Sequence, residues 1–502
     1  MFFIIFAMLK NLFNMSQLDS QLKEQLIKRV SLDNPWWLSG TIADDYKNMP
    51  LRPYSEVFYP LVADTSIRRA TILMGPRRVG KTVMLYHTID KLIASGINPQ
   101  KIIYLSIDTP IYNNVSLEEL FNYARQALKQ EDNYDDFFVF YDEIQYLKNW
   151  EVHLKSLVDS FRSVKFVASG SAAAALKMKS NESGAGRFTD FMLPPLTFYE
   201  FLNLQNLNNI IIEKSDKSIA PYDTININEL NRLFIEYINY GGYPEVVFSE
   251  KIRSNPGQYI KNDIIDKVLL RDLPSLYGIT DIQELNKLFV HIAFRSGNEF
   301  SYEALSGEAG IKKDLLKKYL EYLEAAFLIK VVNRIDQNAK RMQRVISFKI
   351  YLTNPTLRCA LFSPIEDSDD FIGSMVETAI FAQWIQGEKS DFYYANWTNG
   401  REKGEVDMVW TDAATQKAFS LAEVKWTDRF YNNPTELKSL NKFLESNKDI
   451  RKIIVTTKSK TGTYDSPQGK ILFIPAAIYA YWVSSYLYNN KRTSLLTPND
   501  VS

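Results

Sequence analysis

Cysteine is almost missing: Cys359 is the single one in 502 residues. That excludes a disulfide framework within the chain and any zinc site built from several thiolates, and it fits a reducing cytoplasm. Histidine is scarce too. His87, His153 and His291 are scattered, so each reads as a surface or packed residue rather than a ligand. An excess of one charge is also absent, because 59 Lys and Arg meet 59 Asp and Glu. Net charge therefore says nothing about partners, and any basic surface must be local. Long apolar runs are lacking as well. The opening "MFFIIFAML" is too short to span a bilayer. Its lysine follows the run and no small-residue cleavage site comes after it. Residues 1–14 read as a start-site extension, with Met8 and Met15 as alternative starts, or else as a weak signal segment. No membrane partner is expected.

What is there points to a folded protein of several domains. Hydrophobic residues make up 46% and charged residues 24%, the ordinary globular mix. "GPRRVGKT" has the glycine, the four-residue gap and the Gly-Lys-Thr of a phosphate-binding loop. Gly75 and Gly80 let the backbone curl so that the N–H groups of Pro76-Arg77-Arg78-Val79-Gly80 and their neighbours face phosphate oxygens, proline excepted. Lys81 would reach the β- and γ-phosphates of ATP, and the Thr82 hydroxyl would take a Mg²⁺ position. The context agrees: "RATILM" before the loop reads as a buried strand, and residues 82–93 after it have helical apolar spacing. Strand and helix patterns then alternate through residue 170, which predicts a parallel sheet with helices on both faces.

The run "FFVFYDE" is a buried strand ending in two acids. Asp142 would hold Mg²⁺ and Glu143 would orient or activate the attacking water. The strand "FVASG" ends in polar Ser169, whose hydroxyl could touch the γ-phosphate or the lytic water. Arg187 follows a loop and could serve a neighbouring subunit of a homo-oligomer as an arginine finger. Residues 226–290 read as helices. Residues 301–329 read as helix, turn, helix, followed by two strands around "NRIDQNAKRMQRV", the order of a winged helix. Lys312, Lys313, Lys317 and Lys318 on its second helix, with Lys340, Arg341 and Arg344 in the wing, form a local basic set compatible with DNA backbone contact.

These segments carry a family resemblance. "GPRRVGKT", "FYDEIQYLKNWE", "SGS", "LPPLTFYEF" and "YGGYPEVV" resemble a group of prokaryotic AAA-family ATPases with a C-terminal domain of long-unassigned function. The likeness runs from about Pro35 onward. One departure is Ser169, where such proteins usually carry Thr; the hydroxyl is kept.

The stretch 392–426 reads as three strands joined by turns. Asp407 lies on the second, and Glu423 and Lys425 lie on the third, two residues apart and so on one face. Glu377 lies on an upstream helix. Helix-Glu, strand-Asp and strand Glu-x-Lys resemble the PD-(D/E)XK nucleases. Asp407 and Glu423, with the Val424 carbonyl, could hold one or two Mg²⁺ ions, Lys425 would position a hydroxide, and Glu377 would complete the metal shell or orient a ligand.

The fold expected is α/β, in five parts. Residues 1–65 form a helical segment and 66–205 a RecA-like P-loop domain. A helical lid follows at 206–290, a winged helix at 291–350, and a restriction-nuclease-like domain at 351–502. The activity expected is ATP hydrolysis coupled to DNA binding or cleavage; the alternative is an ATP-switched binding protein whose C-terminal fold is not catalytic.

Overall fold

The computed structural model describes residues 21–113, 115–131, 134–171, 186–216, 220–340, 347–385, 392–399, 402–412 and 414–496. The opening apolar run, Arg341 and Arg344 lie outside them. Two compact units form: one from residues 1–75, 80–193 and 495–502, the other from 76–79 and 194–494.

The first unit is built on five strands: β1 (Ala70–Met74), β2 (Ile102–Ser106), β3 (Phe138–Asp142), β4 (Lys165–Gly170) and β5 (Phe188–Met192). They lie in the order β2-β3-β4-β1-β5, and every pairing is parallel. β1, β3 and β4 are buried along their whole length, as both faces of a parallel sheet covered by helices require. The fifth strand was not foreseen, because "FTDFM" is half exposed and lacks a continuous apolar run. Helices Lys81–Ala94, Leu117–Ala127 and Trp150–Ser160 connect the strands. The second starts on a reciprocal cap: Ser116 Oγ accepts from the Glu119 amide, and the Glu119 carboxylate accepts from the Ser116 amide. Trp36 and Trp37 act as packing anchors, both donating their indole N–H to the Ile102 carbonyl.

The second unit begins with helices between residues 198 and 294, interrupted by a short hairpin of β6 (Ile211–Glu213) and β7 (Tyr222–Thr224), which lies ahead of the stretch 226–290 read as helices. The helix-turn-helix is present as Tyr302–Ala309 and Lys313–Ala325, with Gly310 closing the first helix at φ 71°. Leu316, Tyr319, Leu320 and Leu323 are buried on the second helix, but Leu315 faces out.

The remaining strands are β8 (Glu299–Ser301), β9 (Ile329–Ile335), β10 (Ser347–Leu352), β11 (Phe392–Asn399), β12 (Glu402–Thr411), β13 (Ala418–Glu423), β14 (Lys452–Thr457), β15 (Gly462–Ser466) and β16 (Gly469–Pro475). They make one nine-stranded sheet in the order β15-β16-β14-β13-β12-β11-β9-β10-β8. The boundary expected at residue 350 falls inside this sheet. The seam is the parallel pairing of β11 with β9, only two residue pairs long, Tyr394 with Arg334 and Ala395 with Ile335. Helix Ile372–Trp384 and helix Ala476–Leu496 contribute Met375, Val376, Ile380, Tyr479 and Val483 to a core with Tyr394, Met408 and Ala422. A separate core joins Leu440, Phe443 and Leu444 to Val406, Val409, Leu421 and Ile453. No helix among the described residues is long and apolar enough to cross a membrane.

Candidate nucleotide site and a buried carboxylate–lysine cluster

In the first unit the functional side chains emerge at the carboxyl ends of the central strands, where parallel α/β sheets bind ligands. β1 ends at Met74, just before the loop. Gly80 opens helix Lys81–Ala94 at φ 92°, a left-handed conformation that glycine adopts without strain. Lys81 is buried, and its ammonium donates to the Gly75 carbonyl at 3.2 Å, across the mouth of the loop. Residues 76–79 group with the second unit. There Arg77 makes a two-pronged ion pair with Asp272 (2.5 and 2.7 Å), and Arg78 reaches Glu245 and Asp263. The side chains of both arginines are thus engaged by carboxylates, leaving the backbone as their route to a phosphate.

Asp142 is the focus of the site. Thr82 Oγ1 donates to its Oδ2 at 2.7 Å, Tyr104 Oη donates to the same oxygen at 2.8 Å, and Ser169 Oγ donates to Oδ1. Burial, and then the Asp142 charge, pushes the Tyr104 phenol far above its ordinary range, so it stays protonated and can only donate here. Glu143 follows at φ 53°, with its amide donating to Ser169 Oγ at 3.3 Å. Gln145 donates to the Glu143 carboxylate, and its own oxygen accepts from the Ser171 amide at 3.1 Å. Sequence reasoning passed over Gln145 and Tyr104. The signal for Gln145 was its place two residues beyond Glu143; Tyr104 was a hydroxyl inside an apolar strand. Arg187 lies in an exposed ion pair with Asp159 at 2.5 Å. The hydroxyl of Thr82 and the carboxylate of Asp142 are adjacent hard oxygens, the donor type that Mg²⁺ requires.

The second unit brings Glu377, Asp407, Glu423 and Lys425 together. Asp407 on β12 lies opposite Glu423 on β13, and the Val424 amide donates to Asp407 Oδ2 at 2.8 Å. Thr456 on β14 fixes the backbone of Lys425: its hydroxyl accepts from the Lys425 amide (2.7 Å) and donates to the Lys425 carbonyl (2.8 Å). The Lys425 ammonium then sits among three oxygens, Glu423 Oε1 at 2.8 Å, the Val424 carbonyl at 3.2 Å and Asp407 Oδ2 at 3.4 Å. These are the oxygens expected to hold a metal, and here an ammonium marks the point at which they converge. The set fits one hard cation. Glu377 is not part of that point, contrary to the expected metal shell. It accepts from the Tyr351 hydroxyl at 2.5 Å and pairs with Lys349 at 3.1 Å. Among the described residues, no three His, Cys, Asp or Glu side chains are grouped so as to hold a metal ion.

Lys349, on β10, is the residue that sequence reasoning missed. It is 3% exposed, and its ammonium touches Glu405 at 2.7 Å, Glu377 at 3.1 Å and Asp407 at 3.7 Å. Its signal was a lysine inside the otherwise apolar strand "SFKIYL". Burial works against its charge, but Glu377, Asp407 and Glu405 outweigh that and hold it well above the ordinary lysine range. Burial likewise works to raise the Asp407 carboxyl, yet Lys425 and Lys349 hold it below the usual value. Glu423 is pushed up to about 7, by burial first and then by the Asp407 charge beside it. Two adjacent buried carboxylates share the pressure to hold one proton, and the better-solvated-by-protein one, Asp407, stays ionised.

The basic set of the helix-turn-helix is partly spoken for. Lys313 is ion-paired with Glu303, and the Lys317 ammonium lies 5.4 Å from the centre of the Tyr302 ring.

Residues 67–202 match the model of the AAA domain. Residues 231–369 match a domain of unknown function, a span that crosses the boundary expected at 290 and ends before Glu377. Among curated proteins the chain is similar to an uncharacterized protein of Methanocaldococcus jannaschii, 27% identical over 54% of this chain and 57% of that one. It is also similar to one of Haemophilus influenzae, 26% identical over 54% of this chain and 63% of that one. The chain thus spans less than two thirds of the length of these relatives. Of solved structures, the Orc1 protein of Aeropyrum pernix in complex with DNA aligns with a TM-score of 0.30 at 13% identity, covering 65% of this chain and 95% of that one. Cdc6p of Pyrobaculum aerophilum aligns with a TM-score of 0.28 at 14% identity, covering 64% and 97%.

Proposed function

We propose that this chain binds and hydrolyses ATP in its first unit and cleaves DNA, with a divalent metal, in its second. One observation carries the ATPase half: beside a phosphate-binding loop, Thr82 and Ser169 both direct their hydroxyls at the Asp142 carboxylate. The AAA domain match supports the same half. The nuclease half rests on the C-terminal cluster alone.

The roles follow from chemistry. Lys81 would leave the Gly75 carbonyl for the β- and γ-phosphates, and the first amides of helix Lys81–Ala94 would face the same anion. Glu143, released from Gln145, would orient the lytic water. Mg²⁺ held by Thr82 and Asp142 would neutralise phosphate charge. In the second unit Asp407, Glu423 and the Val424 carbonyl would hold a metal that lowers the pKa of a water molecule. Lys425, on a partly exposed stem, would turn outward and steady the attacking hydroxide. Arg187 would serve a neighbouring copy only after leaving Asp159.

A second reading is an ATP-switched binding protein. The burial of Asp407 and Glu423, 6% and 7% exposed, favours it, since a scissile phosphate must approach them. A DNA-cleavage assay with Mg²⁺ or Mn²⁺, with and without ATP, separates the two. Cleavage lost in Lys425→Ala, with ATP turnover retained, supports the nuclease reading. DNA bound but uncut under every condition supports the switch.

A further inference from the structure

Lys349 and Asp407 stand well apart in the strand order. β10 stands three places from β12 in the strand order, about 14 Å at roughly 4.8 Å per step. The long lysine side chain reaches across them, and its ammonium comes within 3.7 Å of Asp407 Oδ1. The Asp407 carboxylate is thereby shared between two ammonium groups, Oδ1 facing Lys349 and Oδ2 facing Lys425. That is the arrangement in which a bridging carboxylate holds a pair of metal ions.

The two lysines are not equivalent. The Lys425 side chain is 27% exposed and can swing aside, freeing the point where Glu423, Asp407 and the Val424 carbonyl converge. The Lys349 side chain is 4% exposed and is gripped by Glu377, Glu405 and Asp407. Removing it would leave the buried Glu377 and Asp407 carboxylates short of a counter-charge, which is strongly unfavourable. We propose that the Lys349 ammonium permanently fills the second cation position of this cluster. The site then takes a single divalent ion, on the Lys425 side, and Glu377 serves Lys349 instead of the metal.

This proposal rests on the metal-assisted reading of the cluster but not on cleavage. The test is calorimetric titration of the full chain with Mn²⁺ in the absence of nucleotide, with circular dichroism as a check on folding. Relative to wild type, Asp407→Asn should lose one bound ion. Glu377→Gln and Lys349→Arg should each keep it. Lys349→Met, if folded, should gain a second ion that disappears again in Lys349→Met/Glu377→Gln. A wild type from which Asp407→Asn removes two ions, or none, overturns the proposal. So does loss of the ion in Glu377→Gln, or a folded Lys349→Met that still binds one. One ion bound with no cleavage of DNA leaves the proposal standing and sinks the nuclease reading instead.

Discussion

Two buried aspartates, Asp142 and Asp407, are each met by several donors, and the donors differ in charge. Asp142 accepts from three neutral hydroxyls, those of Thr82, Tyr104 and Ser169. Asp407 accepts from the Val424 amide and faces two ammonium groups. Hydroxyls orient a carboxylate but leave its charge uncancelled, which suits the proposed Mg²⁺ role of Asp142. Ammonium groups cancel the charge from within the protein, so Asp407 is stable as it stands. On the proposed function, a nucleotide with Mg²⁺ would complete the first arrangement. The second supports folding whether or not a ligand arrives.

The largest effect that this contrast predicts is on turnover at the first site. Glu143→Gln should keep nucleotide affinity but lower ATP hydrolysis by about 10²–10⁴-fold, since only the orienting base is lost. Lys81→Ala should instead lose affinity, because the charge facing the phosphates is gone. Steady-state turnover and nucleotide titration on both variants check this. Equal turnover in wild type and Glu143→Gln would remove Glu143 from the mechanism.

The same contrast predicts opposite stability responses. Lys349→Met removes one partner of a buried ionic cluster and should cost about 3–5 kcal/mol of folding free energy. Tyr104→Phe removes one neutral donor from Asp142, which keeps Thr82 and Ser169, and should cost about 1 kcal/mol. Urea unfolding followed by circular dichroism measures both. A Lys349→Met cost as small as that of Tyr104→Phe would mean that the second cluster does not stabilise the fold, and the comparison would fail.

What could be seen in the sequence divides along the same line. Gly75, Gly80, Lys81, Thr82, Asp142 and Ser169 could be singled out because each lies in a short segment beside a strand end or a loop. Asp407, Glu423 and Lys425 were legible for the same reason, as neighbours across one hairpin. Lys349 was not, because its partners lie 28 residues away at Glu377 and beyond. Its meeting with Asp407 spans three places in the strand order. No local pattern encodes that strand order. The fifth strand, Phe188–Met192, was hidden for the converse reason: an edge strand is half exposed and needs no apolar run to announce it.

The smallest effect concerns a second pair of buried lysines, one in each unit. Lys165, at the start of β4, is buried like Lys349, but its ammonium donates to the Asp64 carbonyl at 2.8 Å and meets no carboxylate in an ion pair among the described residues. Burial pulls it down to about 8, and the more distant Asp64 charge only partly opposes that. Lys349, among its carboxylates, moves upward instead. The sign follows from proton binding. Between pH 8 and the unfolded value of 10.5, the unfolded chain binds more protons at Lys165 than the folded chain does. Stability therefore rises with pH across that window, and below it the burial of a charged lysine is a constant penalty, on the order of 1–3 kcal/mol. Lys165→Met should be more stable than wild type at pH 7 by that order, and the difference should shrink steadily as pH is raised toward 10.5. Urea unfolding of the two proteins at a series of pH values reads the difference directly, because every other titrating group cancels. A gap between them that stays constant from pH 7 to 10.5 would mean that Lys165 titrates alike in both states, and that a carbonyl serves a buried ammonium as well as a carboxylate does.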